Sequence, residues 1–79
     1  MTLIQNRNVL IVDLPKDVKG DVVLFEKHIK AAIEYYTKVY GTPKRVWVNP
    51  KDAPDEVKQV ENMTIERRGG CVRGKVMVI

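Results

Sequence analysis

The stretch that most resembles chemical machinery is Gly69-Gly70-Cys71-Val72-Arg73-Gly74-Lys75-Val76, which satisfies the spacing G-x-x-x-x-G-K. A phosphate-cradling loop of that type needs glycines that let backbone N–H groups converge. It also needs a following helix whose N-terminus faces the phosphates, and a Ser or Thr to hold magnesium. Here Val76 stands where the hydroxyl is required. Only Met77-Val78-Ile79 comes after it, an apolar run too short for the helix. The spacing is therefore a coincidence, and no cofactor is expected. What survives is charge. Arg67, Arg68, Arg73 and Lys75 surround the glycine pair, and Gly69-Gly70 suits the tight turn of a β-hairpin because both residues tolerate positive φ. The tip of such a basic hairpin, with Lys44 and Arg45, would offer guanidinium groups and backbone donors to a nucleic-acid backbone. The plainer reading is a charged edge that prevents sheet-to-sheet aggregation.

Three other places could carry chemistry. Asp13 and Asn49 end two apolar runs, each close to a proline, with Asp52 near the second. Open α/β sheets bind ligands at the carboxyl ends of their parallel strands, so a small enzyme subunit with a site there is one reading. Asp and Asn are also ordinary turn formers, and no histidine or cysteine is placed to share a proton with them. His28 is the single histidine and Cys71 the single cysteine. That leaves no disulfide within the chain and no Cys/His zinc set. Cys71 has arginines nearby but no adjacent base, so an inert thiol is expected rather than an activated one. No catalytic residue is assigned, and the chain reads as a non-enzymatic module.

The elements that would position these residues are organised around residues 20–41, GDVVLFEKHIKAAIEYYTKVYG. At about 100° per residue, Val22, Phe25, Ile29, Ala32, Ile33, Tyr36 and Tyr40 form one apolar stripe, which predicts a long amphipathic helix. Glu26, Lys27, Lys30, Glu34, Thr37 and Lys38 form its solvated side. Asp21 suits the N-cap, and Gly41 followed by Pro43 suits the stop. Leu24, His28, Ala31, Tyr35 and Val39 add a second flank, so the apolar arc exceeds the ~100° that one contact surface needs.

Around the helix the chain reads as strands. Residues 2–14 carry the dense run Val9-Leu10-Ile11-Val12, with Leu3 and Ile4 as an upstream extension. Residues 44–48 form a second strand, parallel to the first through the helical crossover. Residues 51–62 are a polar excursion with room for one helical turn after Pro54. Residues 63–68, with Met63, Ile65 and Arg67 on one face, and residues 71–79, bent at Gly74, close the hairpin. The expected fold is a single α+β domain over residues 1–79, a four-stranded mixed sheet with one long helix on one face.

The two end strands and the strand around Trp47 are apolar on both faces, whereas one helix covers one. Apolar area left wet forfeits about 25 cal/mol per Å², and a large bare patch marks an interaction surface. A homodimer, sheet to sheet or helix flank to helix flank, is the expected remedy, with Trp47 and the second helix flank as the interface. A protein partner would serve the same surfaces, and the excursion at residues 51–62 folding back as a second cover is the competing solution.

Composition sets the outer bounds. The 79 residues are 44% hydrophobic and 30% charged, a balance that fits a folded domain rather than a disordered tail. No run reaches the ~18 apolar residues of a membrane span, and no signal-peptide layout opens the sequence. A cytoplasmic location is therefore expected, without a membrane partner. The net charge of +4 permits a nucleic-acid partner without requiring one.

Overall fold

The computed structural model describes residues 9–79. One helix packs against a mixed sheet, so the α+β expectation holds. The sheet has five strands rather than four: β1 (Leu10–Asp13), β2 (Val46–Val48), β3 (Gln59–Val60), β4 (Met63–Arg67) and β5 (Lys75–Val78), in the order β1-β5-β2-β4-β3. The helix α1 spans Val22–Tyr40, preceded by a 3-10 turn at Val18–Gly20. No helix among the described residues is long and apolar enough to cross a membrane. The expected extension through Leu3 and Ile4 lies outside the described residues.

The helix begins and ends for the reasons its sequence implies. Asp21 has extended backbone geometry, and its Oδ1 accepts the N–H of Leu24 at 3.0 Å, occupying one of the donors orphaned in the first turn. At the other end Gly41 adopts φ +97°, while its N–H donates to the Thr37 carbonyl at 3.0 Å. A side chain there would meet backbone strain, which glycine avoids. The core stripe is buried at Phe25, Ile29, Ala32, Ile33 and Tyr36; Tyr40 stays exposed, its ring 5.0 Å from that of Tyr36.

Strand order departs from the expectation in two ways. β1 and β2 both run antiparallel to β5, hence parallel to each other, but β5 lies between them. Two-sided apolarity marks a strand as central without naming its neighbours, and Val76 and Val78, both fully buried, take that central place. The second departure concerns the glycine pair. β4 is parallel to β2, and β5 sits on the other side of β2, so β4 and β5 do not pair. Gly69-Gly70 therefore closes no hairpin. Residues 68–74 instead arch over the end of β2, with the Arg68 N–H donating to the Val48 carbonyl at 2.8 Å.

The hairpin that does form joins β3 to β4. Val60 pairs with Met63 across Glu61 (φ 52°) and Asn62 (φ 67°). Two residues with positive φ fit a type I′ turn, whose twist matches that of the flanking strands. β3 is a consequence of connectivity: parallel neighbours need a crossover, and here residues 49–62 supply it without an α-helix. In place of a helical turn after Pro54 there is a single turn, with the Val57 N–H donating to the Pro54 carbonyl at 3.2 Å.

Residues 51–62 do not cover the far face of the sheet. Ala53, Val57 and Val60 join the same buried cluster as Phe25, Ile29, Val46, Val48, Ile65, Val76 and Val78. The excursion thus lies beside the helix and widens its layer. Lys19 ties the two together, its ammonium donating to the Pro50 and Ala53 carbonyls at 3.0 and 2.9 Å. The opposite face of the sheet stays open among the described residues.

Candidate functional site

Register decides what the open face displays. Ile11 pairs with Met77, Met77 with Trp47, and Trp47 with Glu66, so these side chains form one row across four strands. Strand alternation puts them opposite the buried Val46, Val48, Val76 and Val78. Arg45, just before β2, is two residues before Trp47, Arg68 two after Glu66, and Lys75 two before Met77. The same alternation brings all three cations to this face.

Trp47 is half-buried and held on two sides. Its indole N–H donates to Glu66 Oε1 at 3.0 Å, and the Arg68 guanidinium lies over the ring, 4.3 Å from its centroid. Glu66 also pairs with Arg45 at 3.4 Å and with Arg68 at 3.8 Å. Farther along the face, Lys75 pairs with Asp13. The arginines are about half-exposed, so these are surface ion pairs of the weak kind. Sequence alone points to Trp47 but not to Glu66, which anchors it. Only the β2–β4 register reveals that partner.

The basic residues expected to act together, Arg67, Arg68, Arg73 and Lys75 at a hairpin tip with Lys44 and Arg45 of the second strand, separate. Arg45, Arg68 and Lys75 share the open face. Lys44 is exposed just before β2, its N–H donating to the Ile79 carbonyl. Arg73 is exposed on the arch and pairs with Asp52 at 3.0 Å. Arg67 turns to the helix side: it is opposite Val48 in register, and its Nη2 donates to the Pro54 and Val57 carbonyls at 2.5 and 2.7 Å. That guanidinium is an internal staple for the crossover, because strand alternation carries Arg67 and Arg68 to opposite faces.

The strand-end residues are committed to the same arch. Asn49 is buried; its Nδ2 donates to the Cys71 carbonyl at 2.8 Å, and its Oδ1 accepts the Lys51 N–H at 2.9 Å. Buried Asp52 receives Arg73 Nε on one oxygen and the Gly74 N–H at 2.7 Å on the other. Asp13 points to the open face. Asp13 is paired with Lys75, while Asn49 and Asp52 spend hydrogen bonds on loop closure. Burial pushes the Cys71 thiol up from its ordinary pKa, against a smaller lowering by Arg68, so the thiolate is disfavoured.

On the helix, Ala31, Tyr35 and Val39 are exposed, Tyr35 at 56% and Val39 at 50%, while Leu24 and His28 are half-buried. The side of this flank follows from its surroundings. Shallow grooves lined by Glu26, Lys30 and Gln59, and by Thr37 and Met63, place the solvated side of α1 toward β3 and β4. The second flank is on the other side of the core stripe, above the β1 edge. Among the described residues no strand pairs with the outer edge of β1. Leu10, Val12 and Leu24 are only partly covered there. No family model, no curated protein and no solved structure matches this chain.

Proposed function

We propose that this protein is a non-enzymatic, homodimeric binding module whose two copies meet along the β1 edge and the second flank of α1. What supports the reading is one coincidence of place. Among the described residues the outer edge of β1 pairs with no strand, leaving backbone donors and acceptors that could extend a ladder, and it is on the same side of the core stripe as the apolar helix flank carrying Ala31, Tyr35 and Val39. A twofold axis satisfies both at once. Two β1 strands pair antiparallel, and the two helix flanks pack against each other above them, as an isologous interface requires. Aromatic residues at the centre of such a contact carry a large share of its energy, which assigns Tyr35 the principal role.

Sedimentation equilibrium tests it. The parent chain should show twice the monomer mass, and the double variant Tyr35→Glu, Val39→Glu should show the monomer mass with an unchanged circular dichroism spectrum. Val23→Glu, on the solvated side and 76% exposed, should remain dimeric. A parent chain that sediments as a monomer at several hundred micromolar ends the proposal.

A further inference from the structure

The open sheet face is a separate surface. It is on the opposite side of the sheet from α1, so among the described residues a contact along the β1 edge leaves it uncovered, and it can bind independently of any dimer. We infer that this face binds single-stranded nucleic acid, with the Trp47–Arg68 pair as the stacking platform and Arg45 and Lys75 as phosphate contacts.

The chemistry of the face favours a polyanion with flat, partly apolar units. The row Ile11, Met77, Trp47 gives apolar surface in register across three strands. Sequence-tolerant single-strand binders combine such a surface with cations that follow the backbone. The Trp47 ring holds the Arg68 guanidinium over its face at 4.3 Å, and a guanidinium plane stacks bases as an aromatic ring does. Cations lie on both sides of the row: Lys75 and Arg68 two residues beyond it in one direction, Arg45 two residues in the other. At about 3.3 Å per residue the cations span ~13 Å along the strands.

Charge balance on the face points the same way. Glu66 is shared by Arg45 and Arg68, and Asp13 is taken by Lys75, so among the described residues of these pairs the positive charges exceed the carboxylates by one. The existing pairs are solvent-exposed and easily exchanged for phosphate oxygens. A second copy docked face to face would instead bury the same five charged side chains against their own images, and desolvating them opposes that contact. Of the six basic residues named from sequence, Arg45, Arg68 and Lys75 share this face.

The chain contains one tryptophan, so its emission reports directly on the platform. Full-length protein is titrated with single-stranded oligothymidylate at low salt, and the titration is repeated with a duplex of equal length. Quenching of Trp47 on binding is expected, with log K falling against log salt at a slope of about −1.4, since the two phosphate contacts, Arg45 and Lys75, contribute ~0.7 each on a single strand. Arg68→Gln should weaken binding about tenfold or more, in line with the loss of one stacked base, and should leave the slope unchanged, whereas Arg45→Gln should flatten it. Lys38→Gln, on the solvated side of α1, should change neither. Arg45, Arg68 and Lys75 are outside the core, so their variants are expected to fold, and circular dichroism verifies it. Four results overturn the inference: no binding at low salt; binding undiminished in the triple variant Arg45→Gln, Arg68→Gln, Lys75→Gln; saturation without a change in Trp47 emission; or equal affinity for duplex. A concentration-dependent shift of Trp47 emission without oligonucleotide would assign the face to a second copy and overturn it as well.

Discussion

Arg67 separates two views of the basic cluster, and its loss has a calculable cost. Its guanidinium donates to the Pro54 and Val57 carbonyls at 2.5 and 2.7 Å and fastens the non-helical crossover to β4. A hydrogen bond from a charged donor contributes about 1.5–3 kcal/mol net. Both bonds leave one nitrogen and the side chain is only half-buried, so the pair is worth less than the sum of two, about 2–3 kcal/mol. Arg67→Met keeps most of the packing volume and removes both bonds. In a domain of this size each kcal/mol moves Tm by roughly 4–8 °C, so a fall of about 10–20 °C is expected. Arg68→Met is the matched comparison. It loses a ring contact worth ~0.5–1 kcal/mol and a weak surface pair, and Tm should fall by only a few degrees. Chemical denaturation gives the free energies, and native-state hydrogen exchange shows where the loss occurs, with the Asp52 and Val57 amides opening first in Arg67→Met. If Arg67→Met unfolds within about 0.5 kcal/mol of the parent, or if Arg68→Met is the more damaging change, the assignment of Arg67 to the interior is wrong.

Three further outcomes are expected. Glu61 holds φ 52° in the β3–β4 turn, where a non-glycine residue other than Asn or Asp costs about 1 kcal/mol; Glu61→Asn should raise stability by about 0.5 kcal/mol, and unchanged denaturation midpoints would contradict the turn assignment. Asn49→Ala leaves the Cys71 carbonyl and the Lys51 N–H without their partner, a loss of about 1–3 kcal/mol measurable by urea titration. Cys71 should react with thiol reagents more slowly than a peptide thiol at the same pH, because burial raises its pKa. The folded chain then holds that proton more tightly than the unfolded chain, so stability relative to Cys71→Ser should fall as pH rises through the ordinary thiol range.

The sequence makes local structure visible wherever one residue type enforces one geometry. Asp21 and Gly41 bracket α1 as their types imply, and the stripe from Phe25 to Tyr36 is the buried one. Pairing order is another matter. The run from Val76 to Ile79 says that both faces of β5 are covered or sticky, but nothing in it says that β5 inserts between β1 and β2. The glycine pair misleads because glycine permits a tight turn without requiring one, whereas Glu61-Asn62 forms one at some cost in strain. Of the candidate residues, Trp47 and the helix flank are legible as apolar groups in excess of what one layer needs. The role of Glu66, and the separation of Arg67 from Arg68, depend on the β2–β4 register. Register is a long-range property that alternation within a single strand cannot disclose.

The two surfaces constrain each other through symmetry. A twofold axis that pairs two β1 edges antiparallel stands perpendicular to the sheet, and rotation about it returns each open face to the same side. The helix flanks then meet on one side of a continuous sheet while both Trp47 platforms look out from the other. A nucleic-acid strand long enough to reach both platforms would engage the second one at high effective concentration and bind more tightly than either alone, provided the path between them can be spanned. In Tyr35→Glu, Val39→Glu that gain should vanish while the affinity for a short strand stays at the parent value. Long and short strands bound equally by the parent dimer would mean that the platforms do not act together, and the twofold arrangement along β1 would lose its functional rationale even if the dimer itself were real.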